Sequence, residues 1–134
     1  MSAWGISNFE NDTALNWIEN LIEQADGSSI DGAIKNFVIS FDPEETSLIE
    51  CSEFLTVAEV LAGLLGNPSE DFGDELTDWV ETKYIKIEQD IIDKAKDGVA
   101  LVLKDSEAKE MYLDTGYQKS WVETQKGLLK RLSE

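Results

Sequence analysis

Residues 42–68 contain the most clearly delimited helix that the sequence predicts. Asp42-Pro43-Glu44-Glu45 has the features of a helix start: a capping residue, a proline at the first helical position and an acidic residue three positions after the cap. The run that follows is apolar over most of its helical circumference and continues to about Leu65. Gly66-Asn67-Pro68 then ends it. We therefore expect one helix between residues 43 and 65.

Helical periodicity extends over nearly the whole chain. Apolar residues recur three and four positions apart in six further segments, at about 12–26, 29–39, 74–84, 87–103, 106–113 and 117–133. Two prolines and nine glycines in 134 residues leave few interruptions. The sequence thus predicts an all-α fold, in which residues 1–134 form a compact single domain, a bundle of about seven helices with an N-terminal arm packed on the core. Only residues 38–41 also fit a short strand.

Gly98 stands inside the fifth of these predicted helices. Glycine in a helix interior is less favourable than alanine by about 1 kcal/mol. We therefore expect either a close packing contact or a local break at this position.

The negative charge is confined to the first part of the chain. There are 28 acidic and 11 basic residues, a net charge of −17, but residues 83–134 hold ten of each and are neutral. Residues 1–82 hold the other 18 acidic residues and a single basic one, Lys35. This field repels nucleic-acid phosphates and anionic membranes, and it attracts basic proteins and cations. We expect a basic protein partner and no binding to nucleic acid or membrane; an acidity that serves only solubility is the alternative.

The sequence offers few groups for catalysis. It has no histidine, and its only cysteine, Cys51, can form neither an internal disulfide nor a structural zinc site. It also has no nucleophile elbow and no glycine-rich phosphate loop, although a serine–lysine dyad stays open. We predict no catalytic residue, no cofactor and no metal site. The missing disulfide, signal peptide and membrane span of about 20 residues together predict a cytoplasmic protein.

Three glutamates of the best-marked helix are candidate functional carboxylates. A helical projection places Glu50 in the middle of the apolar arc, where a carboxylate must be paired, hydrogen-bonded or neutral. Glu53 and Glu59 fall on the polar face, which consists of Ser52, Glu53, Thr56, Glu59 and Gly63. The alternative is structural: Glu50 reaches solvent or caps a helix, and Glu59 marks the solvent face or accepts a hydrogen bond from another element.

The N-terminal residues form a motif that we interpret as structural, made of Trp4, Gly5, Phe9, Asn11, Asp12 and Trp17. Asn11 is a suitable N-cap, and Asp12 adds negative charge to the first helical turn. Trp4-Gly5 precedes any helix, and we expect this pair to pin the N-terminal arm to the helical core.

This N-terminal motif resembles the signature of a bacterial family, the domain-of-unknown-function family 4259. Three later features are similar to that family as well: Ala58-Glu59-Val60-Leu61-Ala62 closing at Gly66-x-Pro68, Leu76-x-x-Trp79-Val80, and an aromatic residue at Trp121. The resemblance implies a small all-α bacterial protein, and it assigns no catalytic residue.

Three hypotheses follow from the sequence. The first is a non-enzymatic acidic interaction module that engages a basic partner, for example an immunity protein that neutralises a basic toxin. The second is a cation-dependent enzyme that uses Glu50, Glu53 or Glu59. The third is a homo-oligomeric or structural module.

Overall fold

The computed structural model describes residues 7–24, 28–70, 72–82 and 87–133, and it confirms the all-α prediction. Over these ranges the chain forms seven helices and no strand: α1 (Asp12–Gln24), α2 (Ser28–Ser40), α3 (Leu48–Leu64), α4 (Asp74–Thr82), α5 (Gln89–Lys104), α6 (Glu107–Thr115) and α7 (Gln118–Ser133). The strand considered for residues 38–41 does not form, because α2 continues to Ser40. Trp4 and Gly5, the predicted N-terminal anchor, lie outside the described residues.

Helix α3 is the centre of the fold. It packs against each of the six other helices. Between Cys51 and Gly63 every residue except Glu53 is buried. Apart from Glu53, the predicted polar face of this helix is therefore not exposed to solvent, because other segments of the chain cover it. Phe72, for example, lies directly over Gly63, where an added Cβ would come within 2.7 Å of its ring.

The start of α3 differs from the prediction. Asp42 does not begin this helix; its carboxylate instead accepts hydrogen bonds from the backbone N–H groups of Glu44 (2.8 Å) and Glu45 (3.3 Å) in a separate turn. The N-cap of α3 is Ser47, whose hydroxyl oxygen accepts from the N–H of Glu50 at 3.1 Å. Two capping signals stand five residues apart in the sequence, and the second starts the helix.

The end of α3 agrees with the prediction. Gly66 adopts a left-handed conformation with φ of 94°. The backbone N–H of Gly66 donates to the carbonyl of Gly63 (3.0 Å), and that of Asn67 donates to the carbonyl of Ala62 (2.9 Å). This pair of bonds is a Schellman motif, which satisfies carbonyl groups that the helix end leaves open.

The described part of the N-terminal arm packs on the core, as predicted. Asn8, Phe9 and Asn11 are buried. The side-chain oxygen of Asn11 accepts from the N–H of Ala14 at 2.8 Å, so it caps α1 as expected. Phe9 makes an edge-to-face contact with Phe72, with ring centroids 5.4 Å apart. None of the helices in the described ranges is long and apolar enough to cross a membrane.

Gly98 provides the close contact that its place inside a helix predicted. Helix α5 is unbroken there, and the ring of Phe54 lies against the glycine. The outer edge of the ring points at Gly98, and one face of it stacks on Phe37, with centroids 4.1 Å apart and planes 10° from parallel. Because Phe54 is buried between these two neighbours, a methyl group at position 98 has no free space.

We predict that Gly98→Ala lowers the free energy of unfolding by about 1–3 kcal/mol, because overpacking outweighs the gain in helix propensity. The matched control is Gly32→Ala in α2, where an added Cβ meets nothing within 4 Å. This control should be stabilised by roughly 0.5–1 kcal/mol. Urea denaturation measures both variants, and a Gly98→Ala protein as stable as wild type would contradict the tight contact with Phe54.

Candidate functional site

A buried polar cluster joins α3 to the N-terminal arm and α7. It consists of Asn8, Glu59, Gln125 and Arg131, and we call it the Glu59 network. Glu59 is 2% exposed, Gln125 is fully buried and Asn8 is 5% exposed. Polar groups at such depth destabilise a fold unless they are hydrogen-bonded, so the partners of each atom decide what the cluster does.

Asn8 and Gln125 form a reciprocal pair of amide hydrogen bonds. The side-chain nitrogen of Asn8 donates to Oε1 of Gln125 at 2.9 Å, and Nε2 of Gln125 donates to Oδ1 of Asn8 at 2.7 Å. The same Asn8 nitrogen also donates to Oε2 of Glu59 at 3.1 Å. Both hydrogens of the Asn8 amide are thus used, and the N-terminal arm is fixed to two helices at once.

Arg131 completes the network from the end of α7. One guanidinium nitrogen donates to Oε1 of Glu59 at 2.7 Å, in a charge-assisted bond between a buried carboxylate and a side chain that is 21% exposed. The backbone carbonyl of Arg131 in turn accepts from the side chain of Asn67, at the end of α3. Both oxygens of Glu59 therefore accept from donors within the chain.

Further hydrogen bonds extend the network to the start of α1. The backbone carbonyl of Asn8 accepts from the side-chain nitrogen of Asn11 (3.3 Å) and from the hydroxyl of Thr56 (3.4 Å). Thr56 also donates to the carbonyl of Ser52 at 2.8 Å. The polar stripe of α3 is thus used to position the N-terminal arm, and with it the first helix.

An open cleft of about 550 Å³ lies beside this network. Its lining residues are Ser7, Glu10, Glu59, Pro68, Ser69, Glu70, Glu123, Thr124, Gly127 and Arg131. It is rich in carboxylates, yet no group of three or more His, Cys, Asp or Glu side chains within the described ranges is arranged to hold a metal ion. The cleft therefore presents negative charge beside Glu59 and Arg131, which already form an ion pair with each other.

Glu50 and Glu53 lie elsewhere. Both are exposed, and Glu50 accepts a hydrogen bond from the Ser47 hydroxyl at 3.2 Å, so it belongs to the helix cap and does not enter the apolar arc. The two line a separate pocket of about 230 Å³ that also includes half-buried Trp17. Glu50 and Glu53 thus share a pocket, whereas Glu59 lines the other cleft, so the three glutamates do not form one site.

Cys51 is not a reactive thiol in this fold. It is fully buried in α3. Burial raises the pKa of the Cys51 thiol to about 11, against the partly opposing effect of a backbone hydrogen bond from Ala108. Because the thiolate is the nucleophile, the thiol is inert near neutral pH.

Helices α1 and α4, which contact each other, present several acidic residues to solvent. We define the acidic face as their seven exposed carboxylates: Asp12, Glu19, Glu23, Asp74, Glu75, Asp78 and Glu81. Neither helix contains a lysine or an arginine. The two neighbouring helices thus present negatively charged side chains and no positively charged ones.

Sequence reasoning identified Glu59 but missed its partners. Asn8 stands between Gly5 and Phe9 of the N-terminal motif without belonging to it, and no sequence pattern singles out Arg131. Gln125 carried the clearest signal, because it falls in line with Trp121, Leu128 and Leu132 on the buried stripe of α7. A glutamine on such a stripe requires buried partners.

The chain folds as a bundle of helices, and its sequence identifies the family to which it belongs. Residues 2–124 match the family model described as domain of unknown function (DUF4259). The match contains Asn8 and Glu59 and ends one residue before Gln125. No curated protein and no solved structure matches the chain.

We predict that Glu59→Gln lowers the free energy of unfolding by about 2 kcal/mol. The two oxygens of Glu59 accept from Asn8 and Arg131, whereas a glutamine must turn its own N–H group towards one of these donors. The control is Glu53→Gln on the same helix, which replaces an exposed carboxylate and should leave stability nearly unchanged. Equal melting temperatures for the two variants would contradict the structural role of Glu59.

Proposed function

We propose that this protein is an acidic protein-interaction module that binds a basic protein partner through its acidic face. The observation that carries the proposal is the acidic face itself: seven exposed carboxylates on two adjacent helices without any opposing cation on either helix. Acids at helix starts are common, since they complement the helix dipole. Here, however, Glu19, Glu23, Asp78 and Glu81 lie beyond the first turns.

The position of this charge also supports binding. Residues 83–134 are neutral overall, so the excess negative charge lies on the elements formed by residues 1–82, α1 and α4 among them. A patch of negative charge steers a basic protein towards it and speeds association, and this effect weakens as salt screens it. Seven of the 18 acidic residues in residues 1–82 form the acidic face, on two helices that hold no basic residue, and solubility alone requires no such segregation of charge.

An immunity protein that neutralises a basic toxin is one specific form of this proposal. Such a protein needs a stable scaffold and a surface of opposite charge to its target, and it needs no catalytic group. A gene for a basic toxin directly beside the gene for this chain would favour that form strongly.

Two charge variants with the same net charge test the proposal. The first neutralises four exposed carboxylates of the acidic face: Glu19→Gln, Asp74→Asn, Glu75→Gln and Asp78→Asn. The second neutralises four exposed carboxylates within residues 83–134, the segment without net charge: Asp97→Asn, Asp105→Asn, Glu107→Gln and Glu110→Gln. Each set has two Asp and two Glu, and each removes two acids from the first turn of a helix.

Immobilised wild-type protein should recover a basic protein from its native lysate at about 0.1 M salt and lose it near 1 M, where the Debye length falls from ~10 Å to ~3 Å. We expect the first variant to lose this partner and the second to keep it. Equal recovery by both variants would show that only total charge matters. Failure of the wild-type protein to recover a basic protein at low salt would contradict the proposal outright.

A further inference from the structure

An apolar groove of about 410 Å³ runs between α1 and α4, inside the acidic face. Its lining residues are Phe9, Glu10, Leu15, Ile18, Glu19, Ile22, Gly73, Glu75 and Leu76. Five of these nine side chains are large and apolar, and the three charged ones are all glutamates. The groove therefore combines a hydrophobic floor with a negative rim.

The floor has the spacing of a helix-binding surface. Leu15, Ile18 and Ile22 of α1 follow one another at three and four residues, which places them in a row about 10 Å long. Leu15 is 43% exposed, while Ile18 and Ile22 are half-buried against the core. A row of this length matches two turns of a partner helix with apolar residues at positions i, i+3 or i+4, and i+7.

The rim restricts the occupant to a cationic one. Glu19 and Glu75 are exposed on the two helices that border the groove, and the half-buried Glu10 also lines it. A second copy of this chain would bring the same carboxylates against these, and anionic lipid would be repelled in the same way. Lysine or arginine residues beside an apolar stripe would pair with the rim while the stripe covers the floor.

We propose that the groove between α1 and α4 docks an amphipathic basic helix of the partner protein. The proposal rests on the function proposed above and adds to it the place and the secondary structure of the bound segment. Charge brings the partner to the acidic face, and the apolar row selects a segment whose hydrophobic side chains are in helical register.

The test uses two synthetic peptides of identical composition, about 18 residues of leucine and lysine. In the first peptide the leucines form one helical stripe; in the second they are shuffled so that no stripe exists. We expect the first to bind the wild-type protein at least about tenfold more tightly than the second, measured by calorimetry at the same salt concentration. The shuffled peptide measures the contribution of charge alone.

Two substitutions that leave the net charge unchanged locate the binding site. Leu15→Gln removes the most exposed apolar side chain of the groove, and Leu113→Gln makes the same change at an exposed leucine of α6. Both residues are at the surface, so both variants should fold. We expect Leu15→Gln to weaken the striped peptide about fivefold, because the remaining exposed area of one leucine is no longer buried, and Leu113→Gln to have no effect.

Three results would overturn the docking proposal. They are equal affinities for the two peptides, equal effects of the two leucine substitutions, and a dimer in sedimentation experiments that Leu15→Gln dissociates. None of these results contradicts the proposed function, which the lysate experiment tests separately. If a basic protein is still recovered there by the acidic face, the partner binds by charge without occupying the groove.

Discussion

The carboxylate of Glu59 is the point on which the rest of the fold depends. Between Cys51 and Gly63 every residue of α3 except Glu53 is buried, so the buried polar residues of this helix must find partners in the chain. Glu59 finds them in Asn8 and Arg131, and Gln125 closes the cluster. Such a cluster adds little net stability compared with apolar packing, but all of its hydrogen bonds form together only when the N-terminal arm and α7 take the positions on α3 that the structure shows.

This arrangement separates the scaffold from the surface that we propose to be functional. The arm that Asn8 fixes leads through the Asn11 cap directly into α1, so the Glu59 network positions the helix that carries three of the seven carboxylates of the acidic face. α4 then packs on both α3 and α1. The buried charges hold the structure together, and the exposed charges of α1 and α4 are left without basic residues on either helix.

Much of the fold follows from local patterns, and the site follows from them only in part. The helical periodicity, the Asn11 cap, the Gly66 stop and the close contact at Gly98 each depend on neighbouring residues or on one steric requirement, so the sequence predicts them. The predicted start of α3 was wrong because Asp42 and Ser47 are both suitable N-caps, and the local sequence does not decide which of them begins the helix. Glu50 was misplaced for the same reason, and the partners of Glu59 come from residues 51 and 72 positions away.

Hydrogen–deuterium exchange on the complex tests the central claim, that a basic partner binds the acidic face. The wild-type protein would be compared alone and saturated with the basic protein recovered at low salt. The account predicts new protection in α1 and α4 and unchanged exchange in α6 and α7. Protection that appears in α6 and α7, or that is absent from α1 and α4, would contradict it.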